Sequence, residues 1–142
     1  MNVVDKLPDM TEALAVYRDR ITAMVQACRQ KDVTPVFVTQ PVLWQENMSP
    51  EAQSWLWFGW LDENRCLSPQ ALRKGMERYN ESLRETCRRM NVPCIDLAPL
   101  HGNESLFYDE CHFNVAGGRQ VAQRIATWFI QNKSQMPWSA SR

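Results

Sequence analysis

Asp109 stands three residues ahead of His112 in Phe107-Tyr108-Asp109-Glu110-Cys111-His112-Phe113-Asn114-Val115-Ala116-Gly117-Gly118, on a turn that opens a helix. A nucleophilic serine needs a base to take its proton, and that base needs a carboxylate to fix its tautomer and stabilise the imidazolium. Asp109 and His112 have the right types for those two roles, the carboxylate accepting from Nδ1 and leaving Nε2 free. None of the eight serines lies in a context that suggests an activated hydroxyl, so the chain carries the base without the group it serves. Cys111 is not expected to be a nucleophile, because a residue adjacent to His112 rarely presents its sulfur to that imidazole. Metal binding would need Asp109, Glu110, Cys111, His112 and His101 to converge. Neighbours in one turn are not expected to face a single ion, so no metal is expected.

The same segment closely resembles the C-terminal block of the SGNH (GDSL-type) ester hydrolases, in which Asp-x-x-His precedes an aromatic or apolar residue and a Gly-containing helix start. A weaker resemblance in general layout runs from about residue 10 to residue 132. The other blocks of that family, a Gly-Asp-Ser stretch and a Gly-x-Asn-Asp stretch, do not occur; Gly102-Asn103-Glu104-Ser105 is nearest, in the wrong place relative to Asp109. The resemblance implies a three-layer α/β/α domain of flavodoxin-like, SGNH-hydrolase type, of which residues 1–133 are the C-terminal part and 134–142 a loose tail. It implies His112 as general base and then general acid, and Asp109 as its orienting carboxylate. The substrate would be a small ester or an O-acylated carbohydrate, with no cofactor. The nucleophile and oxyanion donors would lie in an upstream half.

Sixteen basic and sixteen acidic residues cancel in this 142-residue chain, which offers no electrostatic footprint for nucleic acid or an anionic membrane. No apolar run is long enough to span a bilayer, so no transmembrane segment is expected. The five cysteines are odd in number and lack Cys-x-x-Cys spacing, which suggests neither a disulfide framework nor a zinc ribbon. Reduced thiols in a cytoplasm are the default, an upstream export signal aside.

Periodicity predicts three main helices and two strands. Pro8-Asp9-Met10-Thr11 starts the first helix, with Asp9 or Thr11 as cap and Leu14, Tyr17, Ile21, Met24, Val25 and Cys28 inward. Ser68-Pro69 opens the second, carrying Leu72, Met76, Tyr79, Leu83, Cys87 and Met90 on one face. Asn114 caps the last, with Val121, Ala122, Ile125, Trp128 and Phe129 inward. Pro35 to Pro41 reads as a strand covered on both faces, and Val92 to Leu97 as its parallel neighbour. Loops after both strands then gather at one sheet edge. A two-stranded parallel sheet leaves the Val36-Phe37-Val38 edge unpaired, which agrees with an absent upstream half and predicts self-association through that edge.

The connection 41–67 has no clear periodicity and is crowded with aromatics: Trp44, Trp55, Trp57, Phe58 and Trp60. These could roof an acyl pocket or stack on a sugar ring. Equally, Ser49-Pro50-Glu51 could open a short helix while the rings cover a sheet edge. A non-catalytic binding module that uses this loop as its contact surface is the alternative to a hydrolase. His101 reads as an exposed loop residue and is left without a role.

Overall fold

The computed structural model describes residues 2–133. In chain order the elements are β1 (Asn2–Val4), α1 (Thr11–Arg29), β2 (Phe37–Val38), α2 (Pro50–Gln53), β3 (Trp60–Asp62), β4 (Arg65–Leu67), α3 (Pro69–Met90), β5 (Cys94–Ile95) and α4 (Val115–Gln131), with two 3-10 turns at 98–100 and 104–106. The chain is thus mixed α/β. No helix among the described residues is long and apolar enough to cross a membrane. The proposed tail at 134–142 lies outside the described residues.

The two expected strands pair in parallel, with Phe37 opposite Cys94 and Val38 opposite Ile95. Successive side chains on a strand face opposite ways, and the two faces meet different helices. Phe37 and Cys94 pack against Tyr17 and Ile21 of α1 and Leu83 and Cys87 of α3. Val36 and Ile95 instead join a second core with Leu97, Leu106 and Phe107, against which α4 lays Val121, Ile125 and Trp128. The strand is shorter than expected and its cover incomplete: Val38 is 42% exposed, and no other strand among the described residues pairs with that edge.

Three helix starts follow local chemistry. Asp9 Oδ1 accepts from the Thr11 amide at 2.9 Å and from its hydroxyl at 2.6 Å at the entry to α1, but the capping position is Met10, whose side chain makes no capping hydrogen bond, and not Asp9 or Thr11 as expected. Ser68 Oγ accepts from the Ala71 amide at 3.1 Å, with Pro69 at the first helical position of α3. Asn114 Oδ1 accepts from the Gly117 amide at 2.9 Å, where α4 begins. α3 stops because Asn91 adopts the left-handed conformation, φ 52°, turning the chain into Pro93 and β5. Two expected inward residues face solvent instead. Met24 is 54% exposed and Ala122 is exposed, because the helix each lies on is covered along a narrower stripe than its apolar positions span.

The connection 41–67 is not irregular. Ser49 Oγ caps α2 through the Ala52 amide at 3.1 Å. Further on, Asp62 Oδ1 accepts from the amides of Asn64 and Arg65, both at 3.0 Å, and this turn folds β3 back on β4. β4 then pairs in parallel with β1, giving a second sheet of order β1-β4-β3 that the periodicity did not predict. Such three-residue strands are too short to carry an alternating signal.

Candidate active site

Asp109 and His112 lie in the loop that follows β5, and the loop is closed on itself before any side chain meets. Phe107 and Phe113 form an isolated antiparallel bridge with ring centroids 4.9 Å apart, and the Tyr108 amide donates to the His112 carbonyl at 2.8 Å. Below the bridge, Asn114 Nδ2 donates to the carbonyls of Ser105 and Phe107 at 2.9 and 3.2 Å. Gly117 is buried beside the Leu106 carbonyl oxygen and the Phe113 ring, an approach that a Cβ would block. The turn is therefore fixed at both ends by backbone.

Within it, Asp109 Oδ1 accepts from the amides of Cys111 and His112 at 2.9 and 2.8 Å. That leaves Oδ2 aimed at the ring, and His112 Nδ1 sits 2.8 Å from it. Partial burial pushes the Asp109 carboxyl up, but the Cys111 amide, the His112 ring and the His112 amide outweigh it and hold the group below the ordinary carboxylate value. An ionised Asp109 favours the tautomer with hydrogen on Nδ1 and the Nε2 lone pair outward. The His112 side chain is 69% exposed, whereas that of Asp109 is only 21% exposed.

A third group stands on the same turn. Cys111 Sγ is 3.5 Å from His112 Nδ1, and the ligand-type atoms of Asp109, Cys111 and His112 all lie within 4.8 Å of one another. This runs against the expectation that neighbours in one turn cannot face one point. Burial and the adjacent Asp109 charge push the Cys111 thiol up to about 11, so it is protonated at neutral pH. Glu110 and His101 are not part of this cluster.

Glu110 points inward and is the residue that sequence reasoning missed. It is fully buried, and its carboxylate accepts from Trp44 Nε1 at 2.6 Å, the Trp57 amide at 2.8 Å and the Phe58 amide at 2.7 Å. Its own carbonyl accepts from the Leu43 amide at 3.0 Å. Through these bonds the aromatic segment is tied to the turn that holds Asp109 and His112. The available signal was the abundance of amide and indole donors in a segment without regular partners.

The four candidate tryptophans separate into two pairs. Trp44 is buried with its one N–H spent on Glu110, and Trp55 packs half-buried against the core that includes Leu97 and Leu106. Trp57 and Trp60 are 57% and 56% exposed, and Trp57 stacks on Phe58 with centroids 4.2 Å apart. His101 is half-buried rather than exposed. Its Nδ1 accepts from the Val42 amide at 3.0 Å, and burial together with Arg73 lowers its pKa. His101 also lines a cleft of about 570 Å³ with Arg73, Lys74, Glu77 and Arg84; neither Asp109 nor His112 lines it.

Comparison with protein-family models finds no match, and comparison with curated proteins finds none either.

Proposed function

We propose that the chain is the C-terminal part of an SGNH-type serine ester hydrolase, a three-layer α/β/α domain in which it supplies the Asp–His half of the catalytic triad. The observation that carries this reading is the 2.8 Å pair of His112 Nδ1 and Asp109 Oδ2, with the rest of the imidazole open to solvent. His112 would take the serine proton through Nε2 and return it to the leaving alkoxide, and Asp109 would hold the ring and stabilise the imidazolium. An upstream segment would contribute the serine and the oxyanion donors, and its strand would cover the open edge of β2. The two-stranded β2–β5 sheet and the exposed Val38 support that arrangement.

The exposed Trp57 and Trp60, with Phe58, favour a second reading, in which the chain is a non-catalytic module that binds a flat apolar group or a sugar ring. One experiment separates the two. Hydrolysis of short-chain aryl esters is measured for this chain alone and for a chain extended upstream through an in-frame Gly-Asp-Ser, each with and without His112→Ala. The hydrolase reading expects activity only in the extended chain, falling by roughly a thousandfold or more without His112. An inert extended chain that binds ligand through Trp57 supports the binding module instead.

A further inference from the structure

Asp109, Cys111 and His112 place one carboxylate oxygen, one sulfur and one imidazole nitrogen within 4.8 Å, and no other three groups of this kind converge so among the described residues. We propose that these three side chains form a binding site for a thiophilic divalent cation of the zinc and cadmium class, and that the cation switches the His112 base off.

The donor set chooses the metal. Sulfur and imidazole nitrogen suit zinc or cadmium, whereas magnesium and calcium prefer oxygen alone. Zinc bonds run to about 2.3 Å for sulfur and about 2.0–2.2 Å for nitrogen and oxygen, which puts ligand atoms of a tetrahedral ion roughly 3.5 Å apart. Cys111 Sγ and His112 Nδ1 already stand 3.5 Å apart. The 2.8 Å gap between Nδ1 and Asp109 Oδ2 must open by a fraction of an ångström, which side-chain rotation supplies. The third separation, from Cys111 Sγ to the Asp109 carboxylate, lies within 4.8 Å and closes on the ion by rotation of the same side chains. Asp109 Oδ1 is held by two amides and the turn is closed by the Tyr108 to His112 hydrogen bond, so Oδ2 is the oxygen left for an ion. With the His112 side chain 69% exposed, the ion has an entry path and a fourth position for water.

Nδ1 can donate to Asp109 or ligate a metal, but not both. When the ion takes the Nδ1 lone pair, the ring proton passes through solvent to Nε2. Cys111 loses its S–H proton to solvent, and bonds form from sulfur, nitrogen and oxygen to the metal with no change of oxidation state. Nε2 is then protonated and has no lone pair to accept from a serine. Metal binding itself is independent of the function proposed above, whereas the loss of catalysis rests on it.

Cobalt(II) and cadmium(II) are titrated into the metal-free chain while the thiolate-to-metal charge-transfer absorbance is followed. The expected result is a saturable one-to-one band that is lost in Cys111→Ser, weakened about tenfold or more in His112→Asn and unchanged in Cys66→Ser. Absence of the band, or its persistence in Cys111→Ser, overturns the site. In the extended, ester-hydrolysing chain, zinc should inhibit, and the zinc concentration needed for half-inhibition should rise about tenfold or more in Cys111→Ser, each protein being read against its own zinc-free rate. Equal zinc inhibition of that variant overturns the switch and leaves the ligation result standing on its own measurement.

Discussion

Trp44 Nε1 donates to Glu110 Oε2 at 2.6 Å across 66 positions of sequence, and the carboxylate that accepts is wholly buried. A buried carboxylate with three N–H donors is satisfied by hydrogen bonds, whereas its removal leaves three donors without an acceptor away from water. Glu110→Ala should therefore destabilise the chain by roughly 2–4 kcal/mol and loosen the segment around Trp57. Glu110→Gln should cost less, since its oxygen can still serve the Trp57 and Phe58 amides while its NH₂ opposes the Trp44 indole. Trp44→Phe in the Gln background should then recover part of the loss. Denaturant unfolding of wild type, Glu110→Gln, Trp44→Phe and the double variant closes a double-mutant cycle, with Glu110→Ala measured beside them; equal stabilities of wild type and Glu110→Ala would contradict the prediction.

The adjacent glycines of α4 should respond oppositely. A Cβ on Gly117 collides with the Leu106 carbonyl oxygen and comes within 2.6 Å of the Phe113 ring, whereas one on Gly118 meets nothing within 4 Å. Gly117→Ala should lower stability by roughly 1–3 kcal/mol by displacing backbone of the Asp109–His112 loop. Gly118→Ala should raise it by about 0.5–1 kcal/mol through helix propensity. Thermal unfolding of the two variants decides the matter, and a shared sign would refute the packing account.

Asp109 also governs its neighbour's chemistry. Burial first and then the Asp109 charge put the Cys111 thiol at about 11, while burial and Cys94 put Cys87 at about 12. At about pH 8 both should alkylate slowly with iodoacetamide, and Asp109→Asn should speed Cys111 several-fold without affecting Cys87. Site-resolved mass spectrometry reads both rates. The stability linkage has the opposite slope from a raised group: the folded Asp109 value lies below its ordinary 3.8, so ionised Asp109 favours folding above 3.8. That advantage over Asp109→Asn should hold at neutral pH and shrink as pH falls through the folded value. An advantage that grows on acidification would contradict the hydrogen bonds assigned to Asp109.

What could be read from sequence was what one segment decides alone. Asp109, His112 and Asn114 lie within six positions of one another, and short-range hydrogen bonds fix their relation, so spacing was sufficient. The Ser68-Pro69 start followed likewise from a local cap, whereas the parallel pairing of the Phe37 and Cys94 strands followed from two apolar runs joined by a long helical crossover. Glu110 was hidden because an acid beside another acid looks solvated, and its donors lie more than fifty positions away. β1 was hidden because Asn2–Val4 is stabilised only by pairing with β4. The convergence of Cys111 Sγ on His112 Nδ1 depends on a turn closed by Asp109 Oδ1, a geometry that residue types alone do not specify.

Through the 2.8 Å bond to Nδ1, Asp109 sets the His112 tautomer and leaves Nε2 free to accept a proton. The most direct measurement is nitrogen-15 NMR of the His112 ring in the metal-free chain at neutral to mildly alkaline pH. The account predicts hydrogen on Nδ1, a downfield Hδ1 resonance from the bond to Asp109, and an unprotonated Nε2, with the Nδ1 preference lost in Asp109→Ala. A neutral ring carrying its hydrogen on Nε2, with Nδ1 accepting from Cys111, would contradict it.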